Sequence, residues 1–314
     1  MVIILGGDDI SEYYSRHGAS AESIMFSLMG KYSPVVLVGQ TIGPFNRWIN
    51  WQIVRRTLKS VPIITRDEWC SRYLQQELNL KQNVFHGADL AFCDLPLQSN
   101  KDIEQDILRQ YGLVSNQYIT VILSGHHSAY CKDRTLYLQV WQEVIQRLAA
   151  EPMLQDKKIC LLAHTFHPYG DEGKNIEEVC RMLPQNIREQ IIPVTERILP
   201  TRARFILGNG YLTITGRMHA SVSTFQMGKP AVVLSYSKKY DGVIGSNLNR
   251  QDLILNANDS VLWESRKIPD MIGEKVRYIC GNYNRLTEEI RNRAAVQKEL
   301  AAYSLQKCVE FVKK

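Results

Sequence analysis

Two basic side chains stand two apart, Arg217 and His219, within Thr213-Ile214-Thr215-Gly216-Arg217-Met218-His219-Ala220. The residues before Gly216 read as a short apolar strand. Those after it, Ser221 to Met227 closed by Gly228, read as a helix. In an open α/β sheet, ligands bind outside the carboxyl ends of the strands. A helix N-terminus there offers free N–H groups and a partial positive charge. Arg217 adds a planar, two-pronged donor and His219 a group that titrates near neutral pH. The arrangement suits an anion. Taken alone, it equally suits an Arg and a His paired to surface carboxylates.

Other polar residues share this placement. Asp8 and Asp9 follow the apolar run Val2–Leu5, Gln40 follows Pro34–Val38, Arg66 follows Pro62–Thr65, and Asp89 follows Asn83–Phe85. His126 and His127 follow Tyr118–Leu123, His164 follows Lys158–Ala163, and Lys238 and Lys239 follow Ala231–Leu234. Each alone reads as well as a cap or a turn. Together they describe one cationic lining with a few carboxylates, the lining that phosphoryl and carboxylate groups need. Other chemistries lack their signatures. Gly6-Gly7-Asp8-Asp9 is not a dinucleotide fingerprint, and neither a phosphate-binding Walker loop nor a G-x-S-x-G elbow occurs. His164 and His167 offer a pair without a third ligand nearby, so no metal is expected. Trp48, Trp51 and Trp69 read as core or domain-interface residues rather than a sugar platform.

The elements that must position these residues alternate. Short apolar runs are separated by helical segments near Ala19–Gly30, Ile49–Lys59 and Asp133–Ala150, and by one after Arg66 with Trp69, Tyr73 and Leu74 on one side. Such alternation predicts parallel sheets. Polar residues 98–105 and Tyr111-Gly112 interrupt the rhythm and place a boundary near 100–115. The expected architecture is α/β: two doubly wound, Rossmann-like domains, 1–110 and 111–285, facing each other across a cleft. A charged amphipathic helix over 286–314 is expected to return to the first domain.

Bulk properties agree with a soluble globular protein of one large or two domains: 314 residues, 45% hydrophobic and 22% charged. The net charge of +6 is mild, and no Lys/Arg run is long enough to imply nucleic acid. It is compatible with a small anionic substrate and with peripheral contact at an anionic membrane surface. Seven cysteines without C-x-x-C spacing argue against a disulfide framework or a zinc knuckle and for a reducing, cytoplasmic setting, including the inner face of a membrane. Met1–Leu5 is too short for a signal peptide, and no apolar stretch is long enough to span a bilayer.

An ordered set of segments resembles the polysaccharide pyruvyl transferase family: Ile4-Leu5-Gly6-Gly7-Asp8, Gly39-Gln40-Thr41-Ile42-Gly43-Pro44, Arg66 with Asp67 and Ser71, and Gly87-Ala88-Asp89-Leu90-Ala91-Phe92. The strand ending in His164, Gly216-Arg217-Met218-His219-Ala220, and Gly228-Lys229-Pro230 with Tyr236 and Lys238 complete it. The resemblance implies a glycosyltransferase-B-like fold. It implies transfer of a carboxyethylidene group from phosphoenolpyruvate to hydroxyls of a sugar or lipid-linked oligosaccharide, in cell-envelope or exopolysaccharide synthesis, without a further cofactor. Arg217 and His219 match the family's Arg-x-His donor site, and Arg66 and His164 match further basic positions. His219 is then the expected general acid, with His164 or His126 as the alternative. Asp89 or Asp9 is the expected base, and Gln40 and Lys238 join the substrate contacts. The second domain is the expected donor side and the first the acceptor side. Family members carry a strand–turn–helix unit ahead of the Gly-Gly-Asp segment. Here the chain begins at that segment, so a shortened first domain is expected. Two rival readings stay open: a nucleotide-sugar glycosyltransferase of the same fold, and a non-catalytic sugar-binding subunit. A diphosphate donor would want the same Arg and helix N-terminus, although Lys stands where a carboxylate for ribose belongs.

Overall fold

A computed structural model describes residues 1–13, 15–166 and 170–312. In chain order its strands are β1 (Val2–Leu5), β2 (Val35–Gln40), β3 (Ile63–Thr65), β4 (Val84–His86), β5 (Tyr118–Ile122), β6 (Lys158–Leu162), β7 (Ile191–Val194), β8 (Thr213–Thr215), β9 (Ala231–Ser235) and β10 (Ile254–Asn256). The helices are α1 (Gly18–Met29), α2 (Trp48–Thr57), α3 (Glu68–Arg72), α4 (Lys101–Gln110), α5 (Arg134–Ala150), α6 (Glu172–Met182), α7 (Gln185–Arg188), α8 (Pro200–Asn209), α9 (Met218–Gln226), α10 (Ser260–Glu264), α11 (Ile268–Gly281) and α12 (Tyr283–Val312).

The chain forms two compact units. One comprises residues 1–93, 237–251 and 295–314, and the other 94–236 and 252–294. The first holds a parallel sheet in the order β1-β2-β3-β4. All six residues of β2 are buried, as expected for a strand covered on both faces. Val35, Leu37 and Ile63 pack toward Phe26, Val54 and Leu74 on one side. Val36, Val38 and Ile64 pack with Cys308 and Phe311 from the end of α12 on the other. At the carboxyl ends of β1 and β2 the backbones touch. A Cβ on Gly6 would fall 1.8 Å from the Gly39 carbonyl oxygen, and Gly39 itself has φ +70°.

The second unit holds a parallel sheet in the order β10-β9-β8-β5-β6-β7. The chain winds from β5 outward through β6 to β7, then returns to the other side of β5 with β8, β9 and β10. Every residue of β5 and β9 is buried.

The division between the units differs from the expected boundary near 100–115. Residues 101–110 form α4 rather than a linker. Asn100 caps it, its Oδ1 accepting the N–H groups of Asp102 at 3.0 Å and Ile103 at 3.2 Å. Its few apolar residues, Ile103, Ile107 and Leu108, pack into the core with Tyr118, Phe205 and Ile206. A narrow apolar stripe on an otherwise charged helix reads as a polar interruption in the sequence. Strand β10 is too short to announce itself. Among the described residues no helix is long and apolar enough to cross a membrane.

Candidate functional site

In the second unit the strand order reverses between β5 and β8. Their following connections leave on opposite sides, which opens a crevice at the carboxyl edge. Three loop starts meet there: Ser124-Gly125-His126 after β5, Ala163-His164-Thr165 after β6, and Gly216-Arg217 after β8. Arg217 is the N-cap residue of α9, with φ −96° and ψ 116°, and its N–H donates to Thr215 Oγ1 at 2.8 Å. The Arg217 side chain does not cap α9, whose N-terminus lies at the carboxyl end of β8. The Tyr130 hydroxyl holds the turn by donating to the Gly216 carbonyl at 2.7 Å.

A residue the sequence reading did not single out ties the three loops together. Glu172, the first residue of α6, is wholly buried. Its Oε1 accepts from Arg217 Nε at 2.6 Å and from the Gly125 N–H at 3.1 Å. Its Oε2 accepts the N–H groups of His164 at 2.8 Å and Thr165 at 2.9 Å. Burial lowers the pKa of the Arg217 guanidinium, but the Glu172 charge and hydrogen bond outweigh it, so the group stays cationic. Arg217 Nε is thus committed to Glu172. The side chain keeps about a quarter of its surface exposed.

His164 sits half-buried beside this pair. Burial, then the neighbouring His219, Arg217 and Arg204, push its pKa down to about 4. Burial thus favours the neutral ring. His219, the second residue of α9, is exposed at the crevice, as is His126, whose ring meets that of Tyr236 edge-on at 6.1 Å. The structure thus gathers Arg217, His219, His164 and His126 at one strand edge. Among the described residues no group of three His, Cys, Asp or Glu is placed to hold a metal ion, and His167 lies outside the described residues.

The first unit treats its expected site residues differently. Arg66 is 1% exposed. Its Nη1 pairs with Asp89 at 3.0 Å, and its Nε donates to Thr41 Oγ1 at 2.8 Å. That hydroxyl donates to Asp67 at 2.9 Å, and Asp67 in turn caps α3 through the Cys70 N–H. Asp89 also accepts the Ala91 N–H at 2.9 Å. Arg66 and Asp89, expected as a substrate contact and a base, form a buried ion pair here, while Arg66 Nη2 has no hydrogen-bond partner among the described residues. Gln40 is buried at the end of β2, its amide 3.4 Å from the Ile4 carbonyl. Asp9 is exposed. Lys238 projects outward beside Asp241, whereas its neighbour Lys239 forms a buried pair with Asp8 at 3.2 Å. The buried pair was hidden in the sequence because Asp8-Asp9 and Lys238-Lys239 are each two identical residues in a row.

The fold is that of glycosyltransferase-B-like nucleotide-sugar enzymes. It matches UDP-GlcNAc 2-epimerase from Neisseria meningitidis with a TM-score of 0.63 and 12% identity, over 98% of this chain and 76% of that one. It matches a putative UDP-N-acetylglucosamine 2-epimerase from Listeria monocytogenes with a TM-score of 0.62 and 14% identity, over 99% and 72%. An α,α-trehalose-phosphate synthase from Burkholderia vietnamiensis follows with a TM-score of 0.58 and 8% identity, over 96% and 73%. No curated protein matches the chain by sequence. The polysaccharide pyruvyl transferase model matches residues 1–238, three quarters of the sequence, and the chain belongs to that family.

Proposed function

We propose that the protein transfers a carboxyethylidene group from phosphoenolpyruvate to two hydroxyls of a sugar, within a polysaccharide or a lipid-linked oligosaccharide, and forms a cyclic pyruvate ketal. The observation that carries this reading is Arg217, fixed by the buried Glu172 at the N-terminus of α9 with His219 beside it. Phosphoenolpyruvate places a carboxylate and a phosphate on one three-carbon frame. Arg217 and the α9 N–H groups supply donors of matching shape and charge.

In this reading His219 protonates the methylene carbon of the donor, and positive charge develops at the carbon bearing the phosphate. One sugar hydroxyl attacks that carbon. The bond to the phosphate oxygen breaks, and phosphate leaves with the electron pair. The second hydroxyl then closes the ring. Of the two hydroxyl protons released, one restores His219 and the other goes to the phosphate.

The test is incubation with phosphoenolpyruvate and, separately, with UDP-sugars, against a panel of oligosaccharide acceptors. The reading expects phosphate release with an acceptor-linked methyl singlet in the proton spectrum. UDP release without phosphate release would support the nucleotide-sugar reading instead.

A further inference from the structure

The outer helical layer of the first unit carries an unusual surface. Helices α1 and α2 lie side by side, joined by a buried hydrogen bond from Ser20 Oγ to Asn50 Oδ1 at 2.5 Å. Ile24, Met25 and Leu28 stand exposed on α1. Trp48 and Ile49 open α2, 73% and 54% exposed. Trp48, expected in the core or a domain interface, is instead exposed. Trp51 and Trp69 do pack against the core.

Charge is concentrated in the same layer. Residues 16–59 contain six Arg or Lys and one Glu, a net +5 of the chain's +6. Arg56 and Lys59 are exposed at the end of α2. The nearby Glu12 is already engaged, its carboxylate accepting the N–H groups of Asn46 and Arg47 and the Asn50 amide. Aliphatic and indole side chains amid cations, with almost no acid, fit the boundary between headgroups and acyl chains of an anionic bilayer. Two copies of this chain meeting through the layer would set +5 against +5, which disfavours self-association.

We infer that the α1–α2 layer is a peripheral docking surface for an anionic phospholipid bilayer. This inference does not depend on the donor chemistry. Its test is cosedimentation of the full chain with phosphatidylglycerol-containing vesicles and with pure phosphatidylcholine vesicles. Binding is expected to the anionic vesicles only and to weaken in high salt. Trp48→Gln with Ile49→Gln, and separately Arg56→Glu with Lys59→Glu, should each lower vesicle affinity about tenfold or more while melting curves stay unchanged. The charge pair keeps the test decisive if the first double variant fails to fold. Wild-type protein left in the supernatant with anionic vesicles would overturn the inference. So would a dimer in sedimentation velocity that Trp48→Gln with Ile49→Gln converts to monomer.

Discussion

His219 and Arg217 share a turn but have separable roles. His219→Gln keeps a hydrogen-bonding side chain and loses the proton. It should bind phosphoenolpyruvate almost normally and lose about 10²–10⁴ in turnover, measured as phosphate release. Loss of donor binding alone would make His219 a ligand rather than an acid. Glu172→Gln turns an NH2 group toward N–H donors that now face a carboxylate. It should lower unfolding stability by roughly 2–4 kcal/mol in denaturant titrations. His164 gives a pH signature. Its ordinary pKa of 6.5 falls to about 4 on folding, so the unfolded chain takes up its proton first as pH falls. Stability is therefore complete above pH 6.5 and declines between pH 6.5 and 4, by at most about 3 kcal/mol. His164→Gln should flatten urea-unfolding midpoints across that window. At this scale Arg217 and His219 were legible because a strand, a Gly and a helix bracket them. Glu172 was not. Asp171-Glu172 reads as an ordinary helix start, and Asp171 does cap α6 through the Gly173 N–H at 2.9 Å. Its neighbour turns inward to partners that only the fold brings near. Arg66 and Asp89 likewise stand at the expected strand ends, yet pairing across 23 residues buries them.

Elements with strong periodicity were readable. Helix α5 begins where Asp133 accepts the N–H of Thr135 at 2.8 Å, and its apolar face was set by Leu138, Trp141, Val144, Ile145 and Leu148. The fully buried strands β2, β5 and β9 announced themselves as β-branched runs. Helix α4 did not, because its stability comes from tertiary burial of Ile107 rather than from its mostly charged sequence. Its cap gives a direct check. Asn100→Ala should cost about 1 kcal/mol in urea unfolding and leave phosphoenolpyruvate affinity unchanged. An effect on affinity would mean that α4 takes part in the donor site.

For the whole molecule, two parallel sheets followed from alternating apolar runs, and a C-terminal helix was expected to return to the first domain, but the return of residues 237–251 was not. Residues 237–251 and the end of α12 return to the first unit. Cys308 and Phe311 reach Val36, Val38 and Ile64 through packing that no local pattern encodes. The crevice at the carboxyl edge of the second sheet is proposed to bind phosphoenolpyruvate through Arg217. Calorimetric titration of wild type and Arg217→Lys with phosphoenolpyruvate tests it most directly. Saturable binding by wild type is expected, with a loss of roughly 1–3 kcal/mol in the variant, because Lys cannot reproduce the bidentate contact. Equal affinities, or no heat from phosphoenolpyruvate where UDP-GlcNAc binds, would contradict it.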